Sequence, residues 1–158
     1  MKTAGKVLAI LTFVPISLLA ESKVTLGSLP PALQASIKKE TTGATIQSVV
    51  KEKEDGRLQY EVETKLNGKS RNLVFLPSGE LFETEDETDL NSIPAPARDA
   101  IQKKAADGKI ASVEKLVTDK GTKTYYEAAI VAKGGKKIEY SVHADGSSKT
   151  KKEDGDKD

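Results

Sequence analysis

The chain of 158 residues has no cysteine, no tryptophan and one histidine, and these absences exclude several classes of protein. Without cysteine it can form no disulfide, thiolate nucleophile, iron–sulfur cluster or cysteine zinc site. The single histidine, His143, excludes a multi-histidine metal site. As a general base it would need a nucleophile and an orienting partner; since neither can be identified, it is interpreted as a surface residue. We therefore predict a non-enzymatic protein with no catalytic residue, metal site or cofactor.

Residues 1–20 have the pattern of an export signal. Lys2 and Lys6 precede a mostly apolar run, residues 7–19, and the charged Glu21 follows it. This run is too short for a helix that crosses a hydrocarbon core of ~30 Å. We expect cleavage after Ala20, with cleavage after Ser22 as the alternative. The mature chain is predicted to be periplasmic or secreted, without stable membrane insertion.

The charge of the chain is nearly balanced. Loss of Lys2 and Lys6 would leave 23 basic and 24 acidic side chains, which excludes the basic patch that nucleic-acid binding requires. Acidic residues concentrate in one run: Glu80, Glu83, Glu85, Asp86, Glu87 and Asp89. The run lacks the ligand spacing of a calcium-binding loop, so a solvated linker is the favoured interpretation. A calcium-binding envelope protein that uses this acidic linker is the alternative.

The most informative pattern is an internal repeat with an offset of about sixty-four residues. Ser28-Leu29-Pro30 recurs as Ser92-Ile93-Pro94, and Tyr60-Glu61 recurs as Tyr126-Glu127. Each Leu-Pro or Ile-Pro precedes apolar residues at helical spacing, and each Tyr-Glu lies in a segment that alternates polar and less polar residues, as strands do. The sequence Asn67-Gly68 predicts a two-residue hairpin turn.

These signals predict an α+β fold with two tandem repeats, each a short N-terminal helix packed on an antiparallel β-meander of about four strands. The last strand of the first repeat is predicted to be short, at Leu81-Phe82. The predicted organisation is a signal peptide at residues 1–20, a first repeat at 23–85, an acidic linker at 86–92, a second repeat at 93–150 and a disordered charged tail at 151–158.

The order of motifs resembles that of PepSY-like domains, in the tandem form related in fold to secreted β-lactamase-inhibitory proteins. The motifs are a Leu-Pro that opens a short helix, an Asp-Gly turn, Tyr60-Glu61-Val62 and later glycine turns. The resemblance implies a secreted or periplasmic, non-enzymatic module that binds or inhibits peptidases or other envelope proteins. The chain lacks the cysteines of the secreted inhibitors and is poor in aromatic residues, so no inhibitory residue is carried over.

Alignment of the two repeats indicates apolar residues on the strand faces opposite the helices. They form the predicted binding site: Val74, Leu76, Tyr125, Ala129 and Val131. An apolar patch there is either a contact between the repeats or a partner site, and both readings remain open. The expected partner is an envelope or secreted protein, with a peptidase as the named class.

Overall fold

The computed structural model describes residues 22–54 and 56–149. The predicted signal peptide and the predicted charged tail at 151–158 lie outside these residues. The helices are α1 (Pro31–Glu40) and α2 (Ala95–Ala105). The strands are β1 (Ser22–Lys23), β2 (Thr45–Glu54), β3 (Arg57–Leu66), β4 (Lys69–Phe75), β5 (Leu81–Glu87), β6 (Lys109–Thr118), β7 (Lys123–Val131) and β8 (Lys137–Val142). Neither helix is long and apolar enough to cross a membrane.

All eight strands form one antiparallel sheet, in the order in which they follow along the chain. The predicted division into two tandem helix-plus-meander repeats is therefore wrong, and the fold is mostly sheet. The reason lies in β5, which extends to Glu87 and pairs with β4 on one side and with β6 on the other. Its backbone amides and carbonyls are thereby satisfied along both edges, and the sheet continues without a break.

The acidic run is largely part of this central strand. Glu83, Glu85, Asp86 and Glu87 lie in β5, and Leu90–Ser92 form a turn of 3-10 helix just before α2. Glutamate and aspartate are unfavourable in strands by propensity, so a sequence pattern places them in a linker. Pairing on both sides of β5 overrides that preference.

Both helices cover the same face of the sheet. Residues paired in register point to the same face, and one line of pairs joins Val62, Leu73, Thr84 and Val117 across β3, β4, β5 and β6. The core under α1 contains Leu33 and Ile37 of the helix with Val49, Tyr60, Val62, Leu73 and Phe75 of the strands. The core under α2 contains Ala97, Ile101 and Ala105 with Val113, Ala128, Ile130 and Val142.

Two glycine turns lie directly against the helices. Gly79 follows β4 with φ 89°, and Gly146 follows β8 with φ 84°. A Cβ atom on Gly146 would lie 2.6 Å from the carbonyl oxygen of Pro96, while one on Gly79 would lie 3.0 Å from the hydroxyl of Ser36. Only glycine allows both the positive φ and the close approach, so these turns set the distance between helix and sheet.

Candidate functional site

The opposite face of the sheet, called here the uncovered face, has no helix over it in the described part of the chain. A second line of register pairs defines it: Glu61, Val74, Glu83 and Thr118 lie side by side on β3, β4, β5 and β6. These positions alternate with those that face the helices. Several are nevertheless buried, with Val74 at 3% exposure and Thr118 at 2%, because neighbouring side chains of the same face cover them.

The predicted site residues lie in two separate groups. Val74, Tyr125, Ala129 and Val131 are on the uncovered face, and Leu76 follows directly after β4. Strands β5 and β6 separate Val74 from Tyr125, a distance of ~14 Å at ordinary strand spacing. The two halves of the sheet therefore meet through the backbone pairing of β5 with β6, rather than through contact between these side chains.

The predicted residues are also less accessible than a binding patch requires. Tyr125 is 2% exposed and Ala129 5%, whereas Leu76 and Val131 are half-buried. The ring of His143 lies 5.0 Å from that of Tyr125, and the ammonium of Lys149 lies 4.3 Å from the centre of the Tyr125 ring. His143 is half-buried in this contact. On the other side of the face, the guanidinium of Arg57 lies 3.8 Å from the centre of the Phe82 ring.

The uncovered face also carries glutamates from four strands, β3, β5, β6 and β7. We call them the central carboxylates: Glu61, Glu83, Glu85, Glu87, Glu114 and Glu127. Glu87, Glu114 and Glu127 are direct register neighbours on β5, β6 and β7. Like charges directly opposite each other in a sheet destabilise it, so this arrangement opposes folding whenever all three are ionised.

Neutral groups donate hydrogen bonds to three of the central carboxylates. The backbone amide of Ser70 donates to Glu87 at 2.8 Å, and the side-chain amide of Asn72 donates to Glu85 at 3.4 Å. The hydroxyl of Ser141 donates to Glu127. These donors orient the carboxylates without neutralising their charge.

Burial and mutual repulsion shift the titration of two of these glutamates. Burial is the main cause that raises the pKa of Glu85 well above its ordinary value of 4.5, and the charges of Glu61, Glu83, Glu114 and Glu127 add to it. Burial, followed by the charges of Glu127, Glu87 and Glu139, raises the pKa of Glu114 to about 7. All the charges that contribute to the two shifts are carboxylates. Near neutral pH, Glu114 is therefore divided between its protonated and ionised forms.

Gln59, at one margin of this face, has a buried hydrogen-bond acceptor without a donor. It is 2% exposed, and its side-chain amide nitrogen donates to Glu52 at 2.9 Å and to Glu54 at 2.8 Å. Its carbonyl oxygen, also buried, has no hydrogen-bond partner within residues 22–54 and 56–149. Leaving a buried acceptor unsatisfied costs about 1–3 kcal/mol.

Sequence reasoning missed the central carboxylates as a group. Glutamates alternate with other residues in β3 and in β5, and this spacing indicates one polar face for each strand. The acidic composition of β5, however, favours a linker over a strand. Their convergence depends on which strands pair and in which register, and one-dimensional patterns do not contain that information. In the described part of the chain no group of three or more histidine or acidic side chains is arranged to hold a metal ion.

Neither the protein-family models nor the curated protein sequences give a match to this chain. The fold is similar to those of solved structures from Bacteroides. A protein of Bacteroides eggerthii named as periplasmic matches with a TM-score of 0.61 and 18% identity, over 77% of this chain and 86% of that one. A DUF2874 family protein of Bacteroides uniformis matches with a TM-score of 0.59 and 16% identity, over 75% and 85%.

A BLIP-like protein of Bacteroides fragilis has a TM-score of 0.54 and 21% identity, over 78% of this chain and 86% of that one. The chain therefore has a BLIP-like fold. At these identities the similarity extends to the fold alone.

Proposed function

We propose that this protein is a periplasmic, non-enzymatic binding module that contacts a partner protein through the uncovered face of its sheet. The observation that carries the proposal is an eight-stranded sheet with both helices on one side and no element over the other side within the described residues. Such a face leaves its charged groups and the half-buried ring of Phe82 accessible to a partner, and its charges can select and orient that partner.

Two further observations support the location and the type of function. The predicted export signal and the similarity to proteins named as periplasmic both favour the periplasm. The name of the Bacteroides fragilis structure refers to an inhibitory protein, which favours binding over catalysis for this fold. A tandem PepSY-like ancestry and a peptidase as the target are the finer parts of the proposal.

The absence of cysteine allows a direct test, because a single introduced cysteine can carry a photo-crosslinker. Asn72→Cys and Ser141→Cys place the crosslinker at half-buried positions of the uncovered face. Lys38→Cys and Lys103→Cys place it on exposed positions of α1 and α2 and serve as matched controls. Illumination in periplasmic extract should give adducts from the two face positions only.

The adduct must then be identified by mass spectrometry and its binding repeated with both proteins purified. Equal adducts from face and helix positions, or adducts from the helices alone, would contradict the proposed face. If the identified partner is a peptidase, its hydrolysis of a peptide substrate should fall as this protein is added. An unchanged rate would reject inhibition while leaving the binding function in place.

A further inference from the structure

The chemistry of the uncovered face indicates what kind of partner segment it receives. Resting on the function proposed above, we propose that a lysine- or arginine-bearing segment of the partner protein docks on this face, with its cationic group among Glu85, Glu114 and Glu127. Three independent features of the face support this occupant. They are the register of the glutamates, a buried hydrogen-bond acceptor of Gln59 that has no donor in the described chain, and the distribution of charge around the glutamates.

The first feature is a cluster of glutamates that is unfavourable in the free protein. Glu87, Glu114 and Glu127 lie side by side on three strands. Glu85 lies two residues before Glu87 on β5, and its register partners are Asn72 and Leu116. Positions that oppose folding without a structural return are typical of functional sites. A cation placed between these strands would remove the repulsion and form charge-assisted hydrogen bonds to the carboxylates.

The second feature is a buried acceptor that lacks a donor, and it is independent of the carboxylate charge. Both protons of the Gln59 amide are used by Glu52 and Glu54, so its buried carbonyl oxygen lacks a donor in the described chain. Gln59 lies two residues before Glu61 on the same strand and points to the same face. Two strand spacings and four residues separate it from Glu85, a distance of roughly 16 Å at ordinary strand geometry, so the cationic group itself does not reach it. A partner segment that extends along the face from the central carboxylates to Gln59 would supply this oxygen with a separate N–H donor.

The third feature is the arrangement of positive charge at the ends of the strands. Four exposed lysines of this face, one on each of four strands, surround the central carboxylates: Lys65, Lys109, Lys123 and Lys137. Arg57 lies against Phe82, Lys149 and His143 lie against Tyr125, and Glu139 is the next acidic neighbour on β8. The face is therefore negative at its centre, with positive charges near the ends of its strands, while Glu52, Glu54 and Glu139 place further negative charges at the same margin. A partner that fits it has a cationic centre, and its charges select the orientation of docking.

The test uses the full chain and a short fluorescent peptide that alternates lysine and valine, with glutamine- and glutamate-containing peptides of the same length. Fluorescence anisotropy measures the dissociation constants. We expect the lysine peptide to bind, and the glutamine and glutamate peptides to bind much more weakly. The face variant Glu85→Gln/Glu114→Gln should raise the dissociation constant of the lysine peptide roughly tenfold or more.

A second double variant controls for long-range attraction. Glu40→Gln/Asp99→Asn makes the same number of acid-to-amide changes at exposed positions of α1 and α2. At equal ionic strength it should change the dissociation constant by less than about twofold, since screened charges on the far side contribute little. Equal losses in the two variants would mean that only net charge matters, and would overturn the proposal.

Folding and proton binding give two further readouts. The face variant should melt no lower than the parent chain at pH 8, because it removes mutually repelling charges. A melting temperature below that of the parent chain would overturn the account of the cluster.

Binding of the lysine peptide should weaken between pH 8 and pH 5.5 as the central carboxylates take up protons, and a constant affinity would also overturn the proposal. Competition by CaCl2, but not by NaCl of equal ionic strength, would assign the face to a divalent ion instead.

These outcomes are separable from those of the proposed function. If the crosslinker at Asn72 or Ser141 captures a partner equally well in the parent chain and in the Glu85→Gln/Glu114→Gln background, the face binds a protein but not through a cationic group. If the lysine peptide binds the central carboxylates and no face adduct forms, the chemical preference stands and the proposed cellular role fails.

Discussion

The two halves of the sheet place their large side chains on different faces. Under α1 the core contains Leu33, Leu73 and Phe75, and the uncovered face of that half carries Gln59 and Glu61. Under α2 the positions equivalent in sequence to Leu33 and Phe75 are Ala97 and Val142. The second half has its largest buried ring, Tyr125, on the uncovered face instead. Hydrophobic stabilisation in this sheet is therefore not confined to the helix-covered side, and a search for the site cannot rely on apolar residues alone.

The largest effect on this comparison is expected from removal of Phe75, the largest fully buried side chain of the core under α1. Phe75 is fully buried at 0% exposure, and Phe75→Ala should lower the free energy of unfolding by about 3–5 kcal/mol. Val142→Ala, also at 0% exposure, removes less volume and should cost about 1–3 kcal/mol. Urea denaturation measures both. Equal losses would show that the second core depends on its smaller residues as strongly as the first does on Phe75.

A second comparison concerns the glycine turns under the two helices. Gly146→Ala should destabilise the protein more than Gly79→Ala, by about 1–2 kcal/mol. The reason is that the new Cβ would lie 2.6 Å from the backbone of Pro96 in one case, whereas in the other it would lie 3.0 Å from the movable hydroxyl of Ser36 and 3.3 Å from the backbone of Ala32. Both glycines have a positive φ, so that penalty cancels in the comparison. Thermal melts of the two variants test it, with Gly68→Ala, which has open space around it, as a control for the effect of φ alone.

A third effect is expected in the central carboxylates and has the opposite sign. The pKa of Glu114 is raised from its ordinary 4.5 to about 7, so the folded protein holds this proton more tightly than the unfolded chain. The resulting stabilisation is complete below pH 4.5 and is lost as the pH rises through 7. Glu114→Gln should therefore raise the free energy of unfolding by about 1–2 kcal/mol at pH 8 relative to the parent chain, and by much less at pH 4.

Denaturation curves at the two pH values check this sign. Glu40→Gln on the exposed surface of α1 is the matched control and should change stability by less than ~0.5 kcal/mol at either pH. A Glu114→Gln variant that is less stable than the parent at pH 8 would show that ionised Glu114 contributes to the fold rather than opposing it.

The local elements of the fold could be predicted because their signals are local. The Asn67-Gly68 turn is confirmed, since Asn67 has φ 52°, Gly68 has φ 83°, and Leu66 pairs with Lys69 across it. The predicted helices are present as α1 and α2, although each begins two residues after the first apolar residue of its pattern, Leu29 or Ile93. In each case the physical cause is a backbone preference or a side-chain period within about ten residues.

The association of the halves could not be predicted in the same way. The acidic run of β5 has poor strand propensity, and its place in the sheet comes from pairing with Lys115 and Leu116 on β6 and with Arg71 on β4. The ion pair of Arg71 with Asp86, at 3.2 Å, contributes on the helix-covered side. Four of the predicted site residues lie on the uncovered face, and the fifth, Leu76, follows directly after β4. The sequence patterns do not indicate the central carboxylates as a site.

The sequence by itself determined the presence of the two helices, the hairpin turn and the alternation of the strands, because each depends on neighbours along the chain. The tertiary structure decided that the strands form one sheet, that both helices cover the same face, and that six glutamates share the other. Those outcomes depend on register between strands far apart in sequence, where a slip of one residue moves every side chain to the opposite face. The charge of the uncovered face is therefore a property of the folded sheet, and no segment of the chain contains it alone.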